Sequence, residues 1–512
     1  MKLNVSSEKR TDVINIGNRR ECFFDTFLIN ETQTTAERRL HKPVRREVLL
    51  TMDAPWEGKY TTMFSTVYAE GKWRMYYNTV ISPKEKYVCY AESDDAINWV
   101  RPNLGMIDFH GSKENNIILD IEAVKAFDFN GFDNLSVFYD ENPNCPADEK
   151  YKMTCWWMGH AALIALFSAD GIHFTKSRFI TDEGEFDSQN RAFYSEAHGK
   201  YFAYFRGEHE PSEDILPIDR SYSDKVANAL FDPETFLMRD PGKGTYSFMR
   251  DVRVMESDDF VNWSKPRPME YTGAQFQIYN NVIFPYPRAP HLFVGLPLRY
   301  VERKAWTKNY DELCGKEDRL ERMKTMARLG LSVTDGLFMC SRDGYHFEKY
   351  DEAILPPPPE NPEGFVYGDG TAFPALIEVP SQIPGADNEY MIIVRESFRS
   401  VGDSFNKLVK YTSRLDGFVS LHAGGEEGVV VTKEFVYDGG ELFANIATSA
   451  RGHAYFTLKC GDECFRSVEI FGNSANKRIR FEDDGAVSAL RGKTVTLEVQ
   501  LYDADLYAIK FE

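Results

Sequence analysis

Short runs of alternating apolar and polar residues dominate the chain, and this period predicts strands rather than helices. Trp73-Arg74-Met75-Tyr76-Tyr77 and Tyr201-Phe202-Ala203-Tyr204-Phe205 are typical, with aromatics that suit a pleated, half-buried surface. After such runs one phrase recurs: Ser, any residue, Asp, and an aromatic a few residues on. It occurs at Ser93-Asp94-Asp95 before Trp99, Ser168-Ala169-Asp170 before Phe174, Ser257-Asp258-Asp259 before Trp263, and Ser341-Arg342-Asp343 before Phe347. A looser fifth copy is Ser413-Arg414-Leu415-Asp416-Gly417-Phe418, and the serines fall 75, 89, 84 and 72 residues apart. Each copy suits a tight turn, since Ser and Asp side chains bond the free N–H groups of the turn and the aromatic anchors the outgoing strand. One such turn per four-stranded sheet, five times over, predicts a five-bladed β-propeller over residues 1–420.

Beyond residue 420 the strands shorten and crowd, as in Gly428-Val429-Val430-Val431-Thr432 and Val495-Thr496-Leu497-Glu498-Val499. Residues 421–512 therefore read as a C-terminal β-sandwich, and the whole chain as all-β. Helical period shows chiefly from Asp311 to Leu329, which predicts one helix inserted between two strands, with its charges on a solvated face. Pro356 to Pro359 follow as a stiff connector.

Charge narrows the functional classes. A formal net charge of −19 opposes a nucleic-acid partner and an anionic membrane surface, because phosphate binding needs a basic stripe. Apolar runs are too short for a membrane-spanning helix. The stretch Met1 to Arg10 has no hydrophobic leader, so a cytoplasmic protein or a trimmed secreted one is expected. Eight scattered cysteines read as reduced structural thiols; Cys460 and Cys464 alone lie close, without histidine partners. No metal and no cofactor are expected. An aromatic content of 14% fits strand and core packing, and a few of these rings would suit the apolar faces of a sugar.

Several phrases carry a family likeness across nearly the whole chain. Gly439-Gly440-Glu441-Leu442-Phe443-Ala444-Asn445 and Leu501-Tyr502-Asp503-Ala504-Asp505-Leu506-Tyr507 are similar to the sandwich of glycoside hydrolase family thirty-two. Phe23 to Ile29, Asn142-Pro143, Phe186 to Asn190 and Arg414 to Leu421 resemble a bacterial group of glycosyl-hydrolase-like propeller proteins. The resemblance implies a propeller with a sandwich behind it and a carbohydrate substrate. It also implies that Asp187 stands where that family keeps its transition-state-stabilising Asp, although Phe186 replaces an Arg there. Two departures stand out. The family's nucleophile position holds Thr61, Thr62, Met63 and Phe64, and its general-acid stretch reads Gln275 to Asn280, with amides and a tyrosine.

Glycoside hydrolysis needs two carboxyl groups flanking the scissile bond. In a propeller the innermost strands begin at a common mouth, so acids at their heads converge. Asp133, Asp187 and Asp369 stand at three such heads and form the candidate catalytic set. Arg206, Gln189, Tyr279, Asn280 and Arg250 are the candidate substrate-binding residues, the arginines offering planar forks for an oxyanion. Glu92, Glu196 and Glu396 are weaker candidates, and each acid could equally bond local backbone. The expected function is hydrolysis at the end of a short oligosaccharide. A glycoside phosphorylase, loosely suggested by Trp56-Glu57, and a non-catalytic sugar-binding propeller are the alternatives.

Overall fold

A computed structural model describes residues 13–512 except 83, 130, 210–230, 233–236, 239–248, 304–305, 325–327 and 400–403. The N-terminal stretch inspected for a leader lies outside the described residues. Strand accounts for 50% and helix for 7%, so the chain is almost all-β. Among the described residues no helix is long and apolar enough to cross a membrane. Two compact units form: residues 43–377 with 390–412, and the described residues up to 42 with 378–389 and 413–512. The division therefore does not follow a single cut at 420, because the N-terminal segment groups with the C-terminal strands.

The larger unit is a succession of antiparallel sheets. The first comprises Thr62–Ala69, Lys72–Ser82, Glu85–Ser93 and Ile117–Asp120, and the second Asp133–Tyr139, Tyr151–Trp157, Ala162–Ser168 and Phe174–Thr181. The third holds Arg191–Ser195, Lys200–His209, Met249–Ser257 and Arg267–Pro268. The fourth repeat splits. Gln277–Asn280, Leu298–Glu302 and Ser332–Gly336 form one sheet, while Ile283–Pro285, Phe293–Gly295, Met339–Ser341 and His346–Lys349 lie in another. In the fifth, Thr371–Ala372 pairs Glu389–Glu396, and Lys407–Arg414 pairs Val44–Thr51, a strand from far upstream.

Consecutive sheets meet through buried polar side chains. Ser65 takes the Val137 N–H (3.1 Å), and Thr154 donates to the Asn190 carbonyl (2.5 Å). Asn281 donates to Gln189 (3.1 Å), and Thr334 to the Asp369 carbonyl (2.8 Å). The fifth sheet then returns to the first. Arg395 Nη1 donates to Thr62 Oγ1 (2.5 Å), Asn406 to the Thr61 carbonyl (3.0 Å), and Phe373 stacks on Phe64 at 4.6 Å. The order of contacts is cyclic and the arrangement propeller-like. Between sheets the core is apolar: Tyr76, Leu135, Met153 and Leu166 fill one layer, and Phe167, Phe202, Phe260 and Phe293 another.

Four of the five repeated turns share one geometry. In each, the Ser hydroxyl bonds the Asp, and one Asp oxygen takes two backbone N–H groups, as Asp170 does from Ile172 (2.9 Å) and His173 (2.8 Å). The next residue is left-handed: Ala96, Gly171, Phe260 and Gly344. Gly171 is required twice over, since a Cβ there would stand 2.5 Å from the Tyr76 hydroxyl of the first sheet. The looser fifth copy differs. It belongs to the smaller unit, and Asp416 there bonds Arg20 (3.2 Å) and Asn445 (3.2 Å). The single helix expected over 311–329 is also broken. Lys308–Glu312 and Lys316–Met323 are separate helices because Leu313 is extended and Gly315 left-handed; Arg328–Leu331 is a third short one.

In the smaller unit the long strands Leu442–Cys460 and Thr496–Phe511 pair along most of their length and organise the rest. Inward residues alternate, with Ala454, Phe456 and Leu458 facing a core that holds Phe435, Tyr437, Val499 and Phe511. Arg20, on an N-terminal strand paired with Lys510, is buried against Asp416, which ties the start of the chain into this sandwich-like unit.

The turn carboxylates make a testable contribution. Backbone N–H bonds hold Asp95 and Asp259 well below the usual carboxylate range. For Asp170 and Asp343 partial burial pushes upward, and the same bonds with His173 and His346 outweigh it. Folded values below unfolded ones mean stability that is present above about pH 4 and lost as pH falls further. Asp170→Asn should lower unfolding stability by about 1 kcal/mol at pH 7. In urea titrations that gap should close as pH falls below 4.

Candidate active site

The heads of the leading strands place the expected residues in three different settings. Asp133 is partly buried and fully engaged. Its Oδ1 accepts from Asn78 (3.0 Å) and from the Asn134 N–H (2.8 Å), while Oδ2 is paired with Lys86. Asp187 is the open one, with 66% of its side chain exposed. Its Oδ1 accepts from Asn134 Nδ2 (3.1 Å) and its Oδ2 faces Arg206 Nη1 at 3.4 Å. Asn134 thus joins Asp133 to Asp187, and it does so from a left-handed backbone (φ 53) at a bulge in the strand pairing. A bulge at a strand head re-aims the side chains around it.

Asp369 is the opposite case. It is 1% exposed, Oδ1 accepts the Phe398 N–H (3.1 Å), and Oδ2 is buried with no hydrogen-bond partner. Burial pushes its carboxyl up to about 7, more than the Phe398 N–H and neighbouring Arg395 pull it down. A group this desolvated keeps its proton near neutrality. Gly364 lies directly over it, where a Cβ would be 3.4 Å from Oδ2.

The amides meet protein rather than open space. Gln189 and Asn280 are each 3% exposed. Gln189 Nε2 donates across to the Phe64 carbonyl (3.2 Å), and Asn280 Oδ1 accepts the Gln189 N–H (3.4 Å). With Met63, Thr371, Phe373 and Arg395 they line a central void with room for about one water. Arg250 is buried beside Gln277 with its guanidinium 4.6 Å above the Tyr300 ring. All three are buried among neighbouring strands.

Arg206 and Tyr279 belong to a continuous cation–aromatic cluster. Arg206 is 6% exposed, and its guanidinium lies 5.2 Å from the centre of the Tyr279 ring. Tyr279 meets Tyr367 edge-on at 5.2 Å, and Arg399 covers Tyr367 at 4.2 Å and Phe398 at 4.5 Å. Arg395 stands over Phe398 at 3.6 Å and donates to the Gly368 carbonyl (2.5 Å). Burial would raise the Tyr279 phenol, yet Arg399 and Arg206 outweigh both burial and Asp187 and hold it below the usual phenol range. Asp187 and Asp369 therefore lie at two ends of one electrostatic group.

Sequence reasoning missed Asn134, Tyr367, Arg395 and Arg399. Asn134 carried a signal, since Asn tolerates a left-handed backbone next to a strand-head Asp. Arg395 and Arg399 follow an apolar strand, and nothing local marked where they would point. The weaker candidates are accounted for by neighbours. Glu396 is held by Arg45 (2.8 Å) and Tyr411 (2.7 Å), Glu92 by Lys72 (2.8 Å), and Glu196 is exposed in a turn. Glu57 is buried between Arg101 (2.7 Å) and Tyr77 (2.7 Å), so Trp56-Glu57 serves the first sheet. Among the described residues no three His, Cys, Asp or Glu side chains group as metal ligands would.

No family model matches the chain, and neither does any curated protein. Among solved structures it is similar to several carbohydrate-active enzymes. An N-acetylgalactosamine deacetylase from F. plautii, in complex with blood group B trisaccharide, shares 12% identity over 72% of this chain and 94% of its own, with a TM-score of 0.42. A structure from the GH130 family of mannoside phosphorylases, with glycoside hydrolases that target β-1,2 mannosidic linkages in Candida mannan, shares 12% over 74% and 97%, at 0.40. A family 32 glycoside hydrolase from Bifidobacterium adolescentis shares 10% over 92% and 82%, at 0.36.

Asp369 makes stability depend on pH in the sense opposite to the turn carboxylates. Its folded value lies above the ordinary 3.8, so the unfolded chain releases this proton first and stability falls as pH rises from about 4 to 7. Asp369→Asn removes that loss. Its stability relative to the parent should climb between pH 5 and pH 8, by roughly 2–3 kcal/mol, in denaturant titrations at each pH.

Proposed function

We propose that the chain is a glycoside hydrolase acting on the end of a short oligosaccharide, with Asp187 and Asp369 as its contrasting carboxyl groups. In this reading the cyclic sheets are the blades of a five-bladed β-propeller, and the smaller unit is a β-sandwich. One observation carries the chemistry. Two carboxyl groups on the same cation–aromatic cluster differ sharply in setting, one exposed beside Arg206 and the other buried and held up to about 7. Such separation is what acid and base assignments require of a carboxylate pair.

In this assignment Asp187 faces the sugar and stabilises or attacks the developing oxocarbenium centre, and Asp369 supplies the proton to the leaving oxygen. Asp133, fixed by Lys86 and Asn78, positions Asp187 through Asn134. Tyr279 offers a ring face and a phenol to the sugar, and Arg206 orients Asp187. Delivery of the Asp369 proton requires the segment around Gly364 to part from it, because Oδ2 is covered in the closed form.

Aryl glycosides of varied sugar and leaving group test the assignment. Asp187→Asn should cut kcat/KM by about 10²–10⁴-fold on every substrate turned over. Asp369→Asn should cost far less with a dinitrophenyl leaving group than with an alkyl one, since a good leaving group needs no proton. Equal losses on both would remove Asp369 from the acid role. An absence of turnover across aryl glycosides and natural oligosaccharides would leave a sugar-binding protein in place of an enzyme.

A further inference from the structure

The cluster around Tyr279 carries more positive charge than its surroundings neutralise. Arg206, Arg395 and Arg399 converge on the Tyr279–Tyr367 pair, and Arg322 joins from behind through the Arg399 carbonyl (3.1 Å). Among the described residues the carboxyl groups facing them are Asp187, which is largely exposed, and Asp369, which holds its proton to near neutrality. Asp318 lies near Arg322, and Glu396 is taken up by Arg45 and Tyr411. Arg395 is bonded to neutral oxygens of Thr62, Gly368 and Thr371. Arg206 has its Nε and Nη2 buried without hydrogen-bond partners, and its contact to Asp187 is long at 3.4 Å. Burying guanidinium charge is costly unless an anion compensates it, and ring contacts alone return only a small part of that cost. In a chain of net charge −19 this is a local reversal of sign.

We infer that Arg206, Tyr279 and Arg399 form an anion subsite within the proposed sugar site, built to take one oxyanion carried on the sugar or delivered beside it. Arg206 lies against the Tyr279 ring and Arg399 against Tyr367, the edge-on neighbour of that ring, so an oxyanion on a sugar beside this tyrosine pair would come within the field of both guanidinium groups. Planar N–H forks match such groups in geometry as well as in charge. This deepens the reading above and depends on the same site. The substrate class is then an acidic glycoside, with the sugar's own carboxylate as the anion, or a neutral glycoside cleaved with phosphate.

Binding and turnover separate the possibilities. The full chain is titrated calorimetrically, at constant ionic strength, with glucuronate, galacturonate and inorganic phosphate, and with glucose and galactose as neutral counterparts. At least one anionic probe should bind more tightly than the neutral sugars, and Arg399→Gln and Arg206→Gln should weaken it by about 10–100-fold. Arg399→Lys should recover part of the loss, with thermal melting confirming that each variant folds. Faster turnover of aryl uronides than of aryl glucosides, with no need for phosphate, assigns the anion to the sugar. Turnover of neutral glycosides only when phosphate is present assigns it to phosphate. Anion binding equal to neutral-sugar binding, or unchanged in both Gln variants, overturns the subsite. Turnover of neutral glycosides with no anion preference overturns it too and leaves glycoside cleavage standing. Anion binding that the Gln variants abolish, with no glycoside turned over, does the reverse.

Discussion

Closure between the fifth sheet and the first is the constraint on which the larger unit depends. A succession of twisted sheets leaves its two ends open, and an open sheet edge invites non-native pairing. Here the upstream strand Val44–Thr51 pairs Lys407–Arg414, so the start of the ring completes its last sheet. Arg395, Asn406 and the Phe64–Phe373 stack then join the same two sheets. Arg395 does this while buried at 2% exposure, and desolvation pulls its guanidinium down to about 9. The residue that closes the ring is also part of the charge cluster at its head. Structure and chemistry are coupled at that point.

The centre of the ring is filled rather than hollow. Gln189 reaches from the third sheet to Phe64 in the first, and Asn280 braces it, leaving a void for about one water. The proposed site lies toward the strand heads, where Asn134, Asp187, Arg206 and Tyr279 meet. There the bulges matter, since Met63, Asn134 and Gly370 each adopt a left-handed backbone beside a leading strand. A residue fixed in that conformation costs of order a kcal/mol, and it persists because neighbouring sheets over-determine it. For Asn134 the compensation is visible in bonds to Phe186 and Asp187.

How much of this was legible follows from the range of each interaction. The serine–aspartate turns are local, since every bond in them spans two or three residues, and four of five copies adopt the same geometry. The fifth spaces its Ser and Asp one residue further apart, and its Asp bonds a distant partner. Arg20 lies 396 residues away from Asp416, and its pull is invisible in the turn phrase. The long helix failed for a nearer reason, because Gly315 sat inside an otherwise helical pattern and took the left-handed conformation. Among candidate residues, position at a strand head was readable for Asp133, Asp187 and Asp369. Exposure at that position was not.

By itself the sequence determined the almost all-β character, the repeat spacing and the turns, since strand period and turn chemistry act over a few residues. Only the tertiary structure decided that the N-terminal segment joins the C-terminal strands, that Gln189 and Asn280 pack inward, and that Asp369 is desolvated while Asp187 is open. It alone brought Arg206, Arg395 and Arg399 to one tyrosine pair. The physical reason is that desolvation and Coulomb interaction depend on what surrounds a group in space, and a ring of sheets draws those surroundings from residues hundreds of positions apart.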